Sequence, residues 1–119
     1  MSKNRFVAVG TTAAAVALLW VLPAAAKPQA TSVTVTEGTP EFSIKLSTKS
    51  VKAGPVTFKV TNKGNLPHDF SIGGKKTALL QSGKTAKLIV TFAKAGKYQY
   101  MCTVSGHAAA GMRGTLVVK

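Results

Sequence analysis

Cys102 is the only cysteine in this 119-residue chain. No disulfide can form within it, so a small fold here has to rely on its core and on whatever else its side chains bind. Histidine is almost as scarce, with His68 and His107 the only two. Acidic residues number three, Glu37, Glu41 and Asp69, against sixteen lysines and arginines, which gives a formal net charge of +13. Such an excess would suit nucleic acid, but no basic cluster is interleaved with aromatic residues. The lysines instead recur singly, as at Lys45, Lys49, Lys52, Lys59, Lys87, Lys94 and Lys97. That spacing describes a solubilising surface that attracts acidic partners or anionic membranes, with association slowing as salt rises. Amphipathic helical periodicity is missing as well, outside the first residues.

What the N-terminus does have is an export signal. Met1-Ser-Lys-Asn-Arg5 is basic, Phe6 to Leu22 is uncharged, and Ala24-Ala25-Ala26 offers a small-residue cleavage site. Residues 1–26 are therefore expected to be a signal peptide and residues 27–119 the folded domain. The alternative is a retained anchor; as a helix Phe6–Leu22 would span about 26 Å, short of a hydrocarbon core of about 30 Å. Either way the domain is expected outside the cytoplasm, periplasmic or extracytoplasmic, and in contact with a membrane only if the segment is retained. A lone thiol in that compartment needs protection from oxidation and exchange, and burial as a metal thiolate supplies it.

Alternation of period two dominates the remainder. Ser32–Thr36 reads as a strand, followed by a turn at Glu37-Gly-Thr-Pro40. Phe42, Ile44 and Leu46 alternate with polar neighbours, as do Val56, Phe58 and Val60, and Leu88, Val90 and Phe92. Tyr98, Tyr100 and Cys102 share one face of a strand, and Thr115–Val118 closes the chain. His68 shares parity with Phe70 and Ile72, which turns its imidazole towards the core side. Met101 has the wrong parity to join Cys102. Gly73-Gly74-Lys75-Lys76 and Ser82-Gly83 read as turns. Short strands with regularly spaced turn signals predict an all-β, antiparallel sandwich of about seven to eight strands.

Chemistry concentrates in Cys102-Thr-Val-Ser-Gly-His107-Ala-Ala-Ala-Gly-Met112, which spaces a thiol, an imidazole and a thioether as Cys-x4-His-x4-Met. With His68 it completes a donor set of two nitrogens, a thiolate and a thioether, the combination copper uses. Structural zinc prefers several Cys or His ligands to Met. A thiol hydrolase would need a third, orienting group and a cleft, and nothing marks either.

These stretches, with Val56–Gly64, Pro67–Ile72, Gly96–His107 and Gly111–Val118, resemble the cupredoxin, or blue copper, family. The resemblance spans nearly the whole domain, and the loop spacing is closer to rusticyanin-like and small bacterial or archaeal members than to plastocyanin or azurin. It implies a Greek-key sandwich binding one copper ion that cycles between Cu(I) and Cu(II). Cys102 would be the strong thiolate ligand, His68 and His107 the equatorial nitrogens, and Met112 the long axial ligand. Where relatives often carry Asn after the first histidine, Asp69 stands here, expected to accept hydrogen bonds from the Thr103 region. Ser105 replaces a frequent Pro and restores an amide donor that could bond the thiolate. In relatives the loop histidine emerges in a small apolar patch, whose counterpart here is His107 with Ala108–Gly111, joined by Leu66 and Pro67.

The resemblance implies no enzyme: nitrite reductases and multicopper oxidases need further histidine-rich sites, and no histidines are left over. The expected function is a monomeric, mobile single-electron carrier between larger redox proteins with acidic docking surfaces, and not a nucleic-acid binder. A copper carrier that delivers the ion to an oxidase or reductase is the alternative, and a metal-free binding sandwich a third.

Overall fold

The computed structural model describes Gly10, residues 12–20 and residues 30–119. The expected cleavage point after Ala26, and much of the expected signal peptide, lie outside the described residues. Residues 10 and 12–20 carry neither helix nor strand. No helix among the described residues is long and apolar enough to cross a membrane.

Nine strands follow: β1 (Thr31–Glu37), β2 (Ile44–Leu46), β3 (Ser50–Val51), β4 (Gly54–Asn62), β5 (Ser71–Ile72), β6 (Lys75–Lys76), β7 (Thr85–Phe92), β8 (Gly96–Met101) and β9 (Arg113–Val118). They form two sheets, ordered β2-β1-β4-β7 and β3-β9-β8-β5-β6. The all-β sandwich expected from the alternation is what forms. Most neighbours pair antiparallel, while β1 with β4 and β3 with β9 run parallel. Parallel neighbours need a crossover, and here the chain makes it by visiting the second sheet as β3 between β1 and β4.

β4 shows why the layers hold. Val56, Phe58 and Val60 are fully buried, while Lys59 between them is exposed. Val33 and Val35 of β1 lie opposite Phe58 and Val60, and Val90 of β7 lies opposite Val56. The Phe58 ring sits 5.3 Å from Phe70 and 6.3 Å from Phe92 between centroids. Ile72, Tyr100, Leu116 and Val118 close the core from the second sheet. Each such side chain contributes about 1.5–3 kcal/mol on burial.

Three glycines are required by their surroundings. Gly73 and Gly74 have φ of 60° and 77° and make the two-residue loop between β5 and β6, where both positions need positive φ. Gly114 lies opposite Tyr100 in the β8–β9 register, and a Cβ there would overlap the Tyr100 Oη and Cζ. Overpacking of this kind costs about 1–3 kcal/mol. Gly114→Ala is expected to lower the urea midpoint by that equivalent with the β-sheet circular dichroism retained. A midpoint equal to the wild type would refute this packing.

β2 is shorter than the alternation suggests. Phe42 leaves the sheet and is 40% exposed, because the chain turns at residues 38–42 before β2 begins. The loops that follow β1, β4 and β8 meet at one end of the sandwich, which is where the candidate ligands gather.

Candidate metal centre

His68 is held by its backbone before its side chain is considered. The buried Asn62 side chain ends β4: its Nδ2 donates to the Leu66 and Leu80 carbonyls, both at 2.8 Å, and its Oδ1 accepts from the Gly64 amide at 2.9 Å. Pro67 then limits the backbone. His68 N–H donates to the Leu80 carbonyl at 3.0 Å, and Leu80 N–H returns to the His68 carbonyl at 2.8 Å. His68, Phe70 and Ile72 are all buried, as their shared parity requires.

Cys102 directly follows β8 and Met112 directly precedes β9. The loop between them closes on itself: Cys102 N–H donates to the Met112 carbonyl at 3.0 Å, Met112 N–H to the His107 carbonyl at 3.1 Å, and His107 N–H to the Val104 carbonyl at 3.0 Å. Cys102 and Met112 are both fully buried, and His107 is half-buried. Met101 is half-buried and pairs with Arg113 in the β8–β9 ladder.

The structure brings three donor atoms together. His68 Nδ1 and His107 Nδ1 are 3.1 Å apart, and Cys102 Sγ lies 4.0 Å from the first and 3.6 Å from the second. All three fall within 4.8 Å of one another. The Met112 backbone is tied to two of these residues by its bonds to Cys102 and His107.

Two facing ring nitrogens can share only one proton between them, and burial pushes the His68 pKa below its ordinary value. Burial pushes the Cys102 thiol up, opposed by amide hydrogen bonds from Asp69 and Val104. The Asp69 amide stands 3.5 Å from Sγ. A cation reverses such a thiol preference, because the thiolate is the ligand form. Two imidazole nitrogens and a buried thiol within 4.8 Å of one another, with the buried Met112 at the end of the same loop, fit a single soft or borderline ion.

Asp69 accepts from Thr103 as its position suggested, with the Thr103 amide at 2.6 Å and the Thr103 hydroxyl on the other carboxylate oxygen. The expected amide of Ser105 is not among the donors to the thiol; Val104, one residue earlier, takes that place, and Ser105 is exposed where the turn begins.

Glu41 and Phe42 are the site residues that the alternation conceals. Glu41 Oε1 comes within 3.3 Å of His68 Nε2. The Phe42 ring meets His107 edge-on, 5.2 Å between centroids at 73°. Glu37, at the end of β1, is fully buried, and among the described residues neither carboxylate oxygen has a partner; Asp69 lies close enough for its charge to act on it. All three acids of a strongly basic chain thus surround one site, and that scarcity was the available signal.

The model of the Cupredoxin-like domain family matches residues 11–118. The chain belongs to the cupredoxin-like family. Among solved structures, this cupredoxin is similar to auracyanin A, a "blue" copper protein of the green thermophilic photosynthetic bacterium Chloroflexus aurantiacus. Identity is 18%, the match covers 76% of this chain and 100% of that one, and the TM-score is 0.63. Rusticyanin from Thiobacillus ferrooxidans matches at 23% identity over 78% of this chain and 79% of its own, with a TM-score of 0.65. A multi-copper oxidase from Pediococcus acidilactici matches at 16% identity, covering 82% of this chain but 28% of the oxidase, with a TM-score of 0.58. At such identities these likenesses establish the fold. No curated sequence matches this cupredoxin. In a cupredoxin, a donor set of two imidazoles, one thiolate and one thioether is that of a single type 1 copper ion.

Proposed function

We propose that His68, Cys102, His107 and Met112 hold one copper ion and that the protein is a mobile single-electron carrier between larger redox proteins. The observation that carries this is the convergence of two Nδ1 atoms and one Sγ, from segments far apart in sequence, within 4.8 Å. Bound copper supplies a one-electron couple, Cu(I)/Cu(II). The chain's own part is to keep the donors where they are. His68 is pinned on both sides by Leu80, and the Cys102–Met112 loop is closed by three backbone bonds. A donor set fixed this way moves little when an electron is gained or lost.

The exit route is the His107 edge. His107 is half-buried beside Phe42 and Ala108, and Leu66 is 42% exposed. A small apolar contact of this kind allows close approach and quick release. Exposed lysines over the rest of the surface favour partners with acidic docking faces. Residues 1–26 act as an export signal in this reading, residues 27–119 are the working domain, and it operates outside the cytoplasm, as a monomer and without catalysis of its own.

Adding Cu(II) to the mature protein is expected to give an intense blue thiolate-to-copper band that bleaches and returns over repeated one-electron cycles. A weakly coloured protein that retains only Cu(I) and passes the ion to an acceptor would instead establish copper delivery.

A further inference from the structure

The two nitrogens of His68 face different surroundings. Nδ1 points to Cys102 and His107. Nε2 is buried and points away, 3.3 Å from Glu41 Oε1, within donor–acceptor distance although poorly aligned. The Glu41 carboxylate is anchored independently of the ring. Its Oε2 accepts from the Asn65 amide at 2.9 Å and its Oε1 from the Leu66 amide at 2.5 Å. Gly64 makes room for it, since a Cβ at Gly64 would lie 2.5 Å from Glu41 Oε2. The loop after β1 therefore clamps the segment that leads into His68.

We propose that Glu41 is the positioning residue of the metal centre, holding the His68 proton on Nε2 and so keeping the Nδ1 lone pair free for the ion. The proposal rests on the reading of this site as a copper centre. A carboxylate only accepts, so the tautomer that satisfies Glu41 carries its proton on Nε2. The opposite tautomer leaves Nε2 facing a negative oxygen with a lone pair and puts a proton between the two Nδ1 atoms. Metal-bound imidazoles commonly give their second N–H to a carboxylate, and losing that partner costs about 10–100-fold in metal affinity. The fixed negative charge also makes the ring a stronger donor and favours the more highly charged ion.

Three proteins decide the matter: wild type, Glu41→Gln and Glu41→Ala. Glutamine removes the charge and keeps one acceptor oxygen, enough for one of the two amides, while its NH2 faces the other. Alanine removes both contacts, so comparing the two variants separates the charge from the hold on the loop. In the metal-free wild type, long-range proton–nitrogen spectra are expected to show His68 protonated on Nε2. Glu41→Gln is expected to keep its fold and a blue band, to bind Cu(II) about 10–100-fold more weakly, and to have a higher reduction potential. Glu41→Ala should show a mixed His68 tautomer. An Nδ1-protonated wild type overturns the proposal. So does a Gln variant that matches wild type in affinity and potential, even when both bind copper. A wild type that binds no Cu(II) removes the copper reading itself, and the role of Glu41 with it.

Discussion

Replacing Glu37 with glutamine is expected to abolish a fall in stability that the copper-free wild type shows between pH 6.5 and 8. Burial first, and the neighbouring Asp69 charge second, push the Glu37 carboxyl from 4.5 up to about 8. Among the described residues neither carboxylate oxygen has a partner to compensate the charged form. The sign follows from proton counting: at neutral pH the folded chain holds a proton on Glu37 that the unfolded chain has released. Folding is therefore most favoured, as far as this group is concerned, below its ordinary value of 4.5, and that advantage disappears as pH climbs towards 8. His68, whose pKa is lowered, acts in the opposite sense at lower pH, and its effect ends near its ordinary value of 6.5. Above that, Glu37 dominates, at a cost of about 2 kcal/mol over the interval. Glutamine has nearly the same shape and does not titrate. Urea midpoints measured every half pH unit on both proteins, without copper, provide the test; parallel curves would mean that Glu37 finds compensation the structure does not show.

The three acids give the site an electrostatic character that the overall composition hides. Glu37 lies behind it, Asp69 ties His68's neighbour to Thr103, and Glu41 faces the outer edge of His68. A chain of formal net charge +13 thus gathers its three acidic residues around the place where a cation would sit, although Glu37 holds its proton at neutral pH. The basic remainder is left on the surface. The two charge signs are thus segregated in space, which is what the proposed combination of a bound metal ion and an acidic redox partner requires.

Much of this was legible in one dimension because its cause is local. Strand parity placed Val56, Phe58 and Val60 inward, and it put Tyr100 and Cys102 on a common face. Donor chemistry made His68, Cys102, His107 and Met112 a set before any contact was known. The match of Asp69 to Thr103 comes through the resemblance to cupredoxins, in which the residue after the first histidine ties its strand to the loop beside the cysteine. Glu41 could not be found this way, since its role depends on a turn that brings a loop after β1 against residues 64–68. Phe42 alternates with Ile44 and Leu46 as a strand residue would, yet the chain turns before the sheet begins, and its ring packs on His107 instead. The parallel pairings of β1 with β4 and β3 with β9 are likewise invisible to alternation, which is the same for either strand direction.

Copper is expected to raise the melting temperature of this domain by roughly 15 °C or more, and Cys102→Ser to lose most of that rise. An ion that binds the folded state at about a thousandfold over its dissociation constant adds about 4 kcal/mol, and a domain of this size gains about 4–8 °C per kcal/mol. The unfolded chain offers no comparable site, because His68 and the Cys102–Met112 loop meet only through the fold. Cys102 is the right group to remove: it is fully buried, and its sulfur lies within 4.0 Å of both imidazole nitrogens. Serine keeps nearly the same volume but provides a poor ligand for a soft ion. It also places a hydroxyl in an apolar setting, so Cys102→Ala serves as a second variant that separates ligand loss from that desolvation cost. Melting curves with and without copper would then show a large shift in the wild type and a small one in both variants. Shifts of equal size in all three proteins would place the ion elsewhere, and the four-ligand centre would have to be abandoned.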